Sequence, residues 1–214
     1  MTLKIHIIPV TPFEQNCSFL VCDETRKVSI VDPGGDLEKI IEAINSFGLK
    51  PEQILITHGH VDHCSGAAEL AEKLKIPILG PHIDDQFWIE LLPEQAKRFG
   101  FTHQGRNFTP SKWLNDGDTV KVGNQTLEVI HCPGHTPGHV VFVDLNSRIA
   151  AVGDVLFAGS IGRTDFPRGN HQDLIHSIKK KLIPIGDDIN FIPGHGPMST
   201  LGHEKETNPY LLEQ

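Results

Sequence analysis

The stretch Gln53-Ile54-Leu55-Ile56-Thr57-His58-Gly59-His60-Val61-Asp62-His63 decides how this sequence is to be understood. It opens as a short Ile/Leu run of buried-strand type and closes with three imidazoles and a carboxylate crowded into a loop. The loop leaving the end of a strand is where open α/β sheets build their sites. His58 and His60, two positions apart in extended chain, project to the same side. Asp62 and His63, at the turn into a helix, can face that pocket from another direction. Such a nitrogen-rich set suits zinc or iron rather than magnesium or calcium, which prefer oxygen shells. At this chain's own His and Asp frequencies, an H-x-H-x-D-H string arises by chance in about 0.003 of such sequences. A merely solvated His-rich loop is therefore the weaker explanation.

Working outward, residues 3–10, 17–22 and 28–32 have strand character, separated by turn chemistry. Asp32-Pro33-Gly34-Gly35-Asp36 breaks the third strand and offers Asp36 as a helix N-cap. Leu37, Ile40, Ile41, Ile44 and Phe47 follow at helical spacing, and Gly48 suits the helix end. Beyond the His-rich loop the pattern predicts a helix over 64–75 and a strand over 76–79. Residues 82–111 carry the least pattern, with a helix over 84–92. Strands at 119–122, 126–131, 139–144 and 149–152, a helix over 169–182 and a last strand at 189–192 complete the chain. This order predicts an α/β protein of sheets covered by helices. No repeat, low-complexity run or linker-like composition divides it, so 1–214 is expected to form a single domain.

Composition removes several classes of function. The formal charge of −8 argues against nucleic acid and anionic membrane as partners. No apolar run has the length of a membrane span, and Met1-Thr-Leu-Lys-Ile-His6 contains no signal-peptide h-region, so a cytoplasmic protein is expected. The four cysteines (Cys17, Cys22, Cys64 and Cys132) form no CxxC pair and are expected as reduced thiols. Histidine is the abnormal residue, with 13 in 214. It is the commonest metal ligand and the usual acid–base side chain.

Three further loops have the form of the first. Cys132-Pro133-Gly134-His135-Thr136-Pro137-Gly138-His139 follows the strand at 126–131, Gly153-Asp154 ends that at 149–152, and Pro193-Gly194-His195-Gly196 ends the last. Each sets a ligand-type residue beside Gly or Pro where an apolar run stops, and together they supply a second half-shell for the first motif. His139 is either a hydrogen-bond partner that orients a ligand or a structural residue. His6, His82, His103, His171, His176 and His203 are expected at the surface or as caps.

The ordered set T-H-x-H-x-D-H, P-G-H-T-P-G-H, G-D and P-G-H-G resembles the metallo-β-lactamase superfamily, and within it glyoxalase II (hydroxyacylglutathione hydrolase) of the short, single-domain YcbL-like type. The likeness runs from Asn16 and Asp32-Pro33-Gly34 to Pro193-Gly-His-Gly-Pro-Met-Ser-Thr. It implies an αβ/βα sandwich, two mixed sheets packed together with helices on both outer faces. It also implies two divalent metal ions, zinc first, with iron or manganese as alternatives. On this resemblance His58, His60 and His135 hold one metal, Asp62, His63 and His195 the other, and Asp154 bridges both with a shared hydroxide. Two dications against two aspartates and a hydroxide leave about one positive charge for a small anionic substrate.

The activity implied is hydrolysis of S-D-lactoylglutathione, or a related 2-hydroxyacyl thioester, to D-lactate and glutathione by a monomer serving methylglyoxal detoxification. Metal-generated hydroxide attacks the polarised carbonyl, and a thiolate leaves without needing a strong general acid. The chain departs from full-length glyoxalase II in lacking most of the C-terminal helical region and in having Tyr210 as its only tyrosine. Arg163, in Gly162-Arg-Thr-Asp-Phe166, stands where that family has a lysine facing glutathione, and can hold a carboxylate or simply pair with Asp165. The same string resembles the persulfide dioxygenases, whose single iron would match His58, His135 and Asp154; a metal-binding module without catalysis is the remaining alternative.

Overall fold

The computed structural model describes residues 2–101 and 105–212; His103 lies outside them. The first half of the chain forms a five-stranded sheet of β1 (Leu3–Val10), β2 (Gln15–Cys22), β3 (Lys27–Val31), β4 (Lys50–Leu55) and β5 (Ile78–Leu79), in that order. β1 to β3 pair antiparallel, whereas β3 with β4 and β4 with β5 are parallel. Parallel neighbours need crossovers, which α1 (Leu37–Ser46), α2 (Val61–Cys64) and α3 (Ala67–Leu74) provide. The connection to the second half carries α4 (Gln86–Glu90) and α5 (Leu92–Phe99).

The second half adds β6 (Thr119–Val122), β7 (Gln125–His131), β8 (Val140–Asp144) and β9 (Ile149–Gly153), then a small hairpin of β10 (Leu156–Phe157) and β11 (Ser160–Ile161). After it come α6 (His171–His176), β12 (Asn190–Pro193), β13 (Ser199–Thr200), α7 (Leu201–Thr207) and α8 (Pro209–Leu212). The six-stranded sheet runs β13-β12-β9-β8-β7-β6 and is antiparallel except where β12 lies beside β9.

Side-chain alternation along the strands builds the layers. Phe19, Val21, Ile30 and Ile54 face Leu37, Ile40 and Leu70 of the first helices. Leu20, Val31 and Leu55 point the other way and meet Leu127, Val129, Phe142 and Ala151 of the second sheet. Val141, Val143 and Val152 turn outward to Leu174, Ile178 and Leu201. The result is the expected αβ/βα sandwich. β2 and β8 are buried along their whole length, which is why they read as continuous runs rather than alternating ones.

Local differences have local causes. The helix expected over 64–75 is split: α2 starts at Val61, and the chain bends at Gly66, whose N–H donates to the Pro33 carbonyl at 3.1 Å. A Cβ on Gly66 would come within 2.5 Å of that oxygen, so the close approach requires glycine. Asp36 precedes α1 but is left-handed (φ 50°) and makes no cap bond, because its carboxylate accepts the Thr11 N–H at 2.9 Å. The helix expected over 84–92 is a 3-10 turn leading into α4, with α5 beyond it, and α7 and α8 had no counterpart in the expectation. Among the described residues no helix is long and apolar enough to cross a membrane.

Candidate active site

Four loops leave the same edge of the sandwich, after β4, β7, β9 and β12. Backbone bonds lock them together. The Val140 N–H donates to Thr57 O at 2.8 Å across the two sheets, and the Gly194 N–H to Gly153 O at 2.8 Å. Asn16 clamps the last loop, donating through Nδ2 to Pro193 O at 3.0 Å and Gly196 O at 2.9 Å. Gly194 must be glycine, since a Cβ there would stand 2.0 Å from Asp154 Oδ1.

Every metal-ligand candidate from the sequence arrives at this edge. His58 Nε2 and His135 Nε2 lie 3.1 and 3.0 Å from His60 Nδ1, and all three residues are buried. Two donors on one tetrahedral zinc stand about 3.3 Å apart, for bonds of roughly 2.0–2.1 Å, so the three nitrogens are near the spacing a single cation needs. Asp62 Oδ2 lies 3.7 Å from His63 Nε2 and 3.1 Å from His195 Nε2, forming a second group. Asp154 stands between them, with Oδ1 3.3 Å from His63 Nε2 and Oδ2 3.6 Å from His135 Nε2.

The outer nitrogens explain the inner ones. His135 Nδ1 donates to Arg163 O at 2.7 Å, His195 Nδ1 to Phe13 O at 3.1 Å, and His63 Nδ1 to Asp32 Oδ2 at 2.9 Å. Carbonyls and carboxylates only accept, so each ring carries its proton outside and turns a lone pair inward. His63 Nε2 and Asp154 Oδ1 are buried against each other with no hydrogen bond formed, which suits atoms meant for a cation. Burial pushes His58, His60 and His135 below the ordinary imidazole value, keeping them neutral as ligands must be. Burial also disfavours ionised Asp154, yet His63, His135 and His195 hold it well below the usual carboxylate range. In the second group burial again opposes charge, but the neighbouring carboxylates push His63 and His195 up, so that without a cation the protons on these rings offset the negative charge that a divalent cation would offset when bound.

Three bracing residues complete the site, two of them missed in the sequence. Asp32, at the strand break, accepts the Thr57 N–H at 2.7 Å as well as the His63 ring. Asp85, from the unpatterned segment, is buried and accepts from Gly59 N (2.9 Å), Thr136 Oγ1 (2.8 Å) and Gly138 N (2.6 Å). It thereby ties the His58/His60 loop to the His135 loop. Burial pushes its carboxyl up to about 7, with those three donors working against the rise. Nothing in residue type marked Asp85; only the acidic pair Asp84-Asp85 in a segment without periodicity was visible. His139 Nε2 accepts the Asp154 backbone N–H at 3.1 Å, and its ring stacks on His58 at 4.7 Å.

Arg163 lines the cleft above the site, but its guanidinium is engaged by the Asp165 carboxylate in two bonds of 2.6 Å and lies over the Phe166 ring. Cys64 and Cys132 are free and buried, and burial pushes both thiols up, which removes them as nucleophiles. His82 caps its turn by accepting the Asp84 N–H. With His131 and Asp84 it forms a third cluster, but the two rings lie parallel at 4.2 Å, so their lone pairs do not converge on one point.

A family model for the metallo-β-lactamase superfamily matches residues 10–195. The chain belongs to this superfamily. It is 46% identical over 210 residues to hydroxyacylglutathione hydrolase GloC of Haemophilus influenzae, covering 98% of each chain. Among solved structures, the superfamily member BLEG-1, a B3 metallo-β-lactamase, superposes with a TM-score of 0.91 at 32% identity, covering 98% of this chain and 100% of its own. TTHA1623, solved in a di-iron-bound form, gives 0.87 at 33% identity, with 96% and 100% covered. The protein is thus a metal-dependent hydrolase of the superfamily, with His/Asp clusters suited to a dinuclear centre.

Proposed function

We propose that this single-domain enzyme hydrolyses acyl thioesters of glutathione, S-D-lactoylglutathione among them, releasing the acid and the thiol. The observation that carries the reading is Asp154 lying between two complete donor groups at the floor of a cleft of about 740 Å³. Whole-length similarity to a hydroxyacylglutathione hydrolase supports the thioester as the bond attacked. His58, His60 and His135 would hold one cation, Asp62, His63 and His195 the other, and Asp154 both. Zinc fits this N/O set, as do iron and manganese. When bound, such a pair supplies a hydroxide-strength nucleophile at neutral pH and polarises the carbonyl.

The chain's own residues do the rest. Asp32, Asp85 and His139 keep the donors aimed, so little reorganisation accompanies the reaction. A C–O bond forms as the C–S bond breaks, and the departing thiolate takes its proton from solvent. At the cleft mouth Arg98 and Arg163 are the guanidinium groups available to a substrate carboxylate, with Asp165 already on Arg163. The complete second group favours hydrolysis over a one-iron dioxygenase. An anaerobic assay of S-D-lactoylglutathione on protein with its metals counted tests this. Turnover without oxygen at about two metals per chain is expected; no turnover with one iron bound would overturn it.

A further inference from the structure

The lactoyl group is a three-carbon polar fragment, yet the cleft over the donor groups is large and its walls are aromatic. Trp88 and Phe166 stand edge-on to the His60 ring at 4.7 and 4.8 Å, and Phe157 lies 6.4 Å from the His195 ring. Farther out, Phe13, Leu91 and Phe99 line the same cleft while 43%, 42% and 43% exposed. Large apolar side chains gathered exposed at one mouth mark a binding surface rather than ordinary solvent-facing residues. Trp88 itself is only 7% exposed, and its indole N–H, buried, has no hydrogen-bond partner among the described residues. The wall therefore offers apolar area beside the donor group of His58, His60 and His135.

We propose that this wall is a subsite for a bulky apolar group attached at the thioester, so that aromatic and longer aliphatic acyl chains are preferred over lactoyl. The proposal rests on the thioesterase reading for its substrate class and on the cleft for its selectivity. Helices α4 and α5 and the junction between them supply half of the wall, Trp88, Leu91 and Phe99, which makes the connection between the two sheets a specificity element.

The test varies only the acyl part. On metal-loaded protein, kcat/KM is measured for lactoyl-, butanoyl-, hexanoyl- and phenylacetylglutathione. A rise of about fourfold per added methylene is expected along the aliphatic members. Trp88→Ala and Phe166→Ala should each cut the phenylacetyl-to-lactoyl ratio by roughly tenfold or more. Because both rings pack on His60, a second measurement avoids dependence on those variants. Non-hydrolysable S-hexylglutathione and S-methylglutathione are titrated by fluorescence in a Trp113→Phe background, which leaves Trp88 as the only indole. The hexyl compound should bind at least about tenfold more tightly. Tight hexyl binding without any thioester turnover would overturn the thioesterase reading and keep the subsite. Turnover with a flat acyl series and equal binding would overturn the subsite and keep the thioesterase.

Discussion

The loop after β4 and the loops of the second sheet contribute to one site in different ways. The first places His58, His60, Asp62 and His63 within a single turn of chain, where His58 and His63 are fully buried. The second sheet delivers one donor per loop, His135, Asp154 and His195, and the His195 side chain remains 29% exposed. Bracing differs as well. The first loop is held by buried carboxylates from outside it, Asp32 and Asp85, the latter shared with the His135 loop. The β12 loop is held by backbone bonds, by the Asn16 side-chain amide and by the close approach of Gly194. A crowded loop needs outside acceptors because its own backbone groups cannot pair within so few residues. Dispersed donors lean partly on the sheet that carries them, as the Gly194 N–H bond to Gly153 O shows. The contrast also separates the donor groups, since that of His58, His60 and His135 is buried throughout while the other opens to solvent at His195.

The sharpest way to break the contrast is Asp154→Asn, which touches both groups. It should lower kcat/KM by about a hundredfold or more and reduce the metal content on metal analysis, if Asp154 joins the two halves. Next come the braces. Asp85→Asn should weaken metal affinity at the buried group by about 10–100-fold, and Asp32→Asn should do the same at the group containing His63, both read by competition with a chelator. Equal loss at both groups in each variant would show that the halves are not separately braced. Chelation of the native protein should then proceed in two phases, the exposed group emptying first, as followed by metal release over time. The smallest effects belong to the mouth. Arg98→Ala and Arg163→Ala should each raise KM for S-D-lactoylglutathione only a fewfold, since exposed charge pairs contribute about 0.2–1 kcal/mol. The Arg163 effect should be the lesser, because Asp165 competes for that guanidinium.

Much of the frame could be read from residue order alone. Strands 3–10 and 119–122 have the expected bounds, and five others differ by one residue at one or both ends, whereas β2, β4 and β5 are displaced by two or three. The β-branched and aliphatic runs mark a strand, while its ends depend on pairing with neighbours. The β8 strand begins at Val140 rather than at His139, whose ring is drawn instead to Asp154. Within the poorly patterned segment 82–111, α4 and α5 do bury one face through Ile89, Leu92 and Ala96, but Trp88, Leu91 and Phe99 turn to the cleft, so apolar residues fall on two faces and blur the helical pattern.

By itself the sequence determined which residues are candidate donors and which loops carry them. Ligand chemistry restricts residue type, and a strand end followed by Gly or Pro restricts place. The family resemblance already grouped these candidates; only the tertiary structure decided how far apart their atoms stand, which ring nitrogen faces the others, that Asp85 ties the His58/His60 loop to the His135 loop, and that the cleft is walled by Trp88 and Phe166. Those depend on sheet register and on contacts between residues far apart in the chain, and the free energy of such contacts is not written in any local pattern.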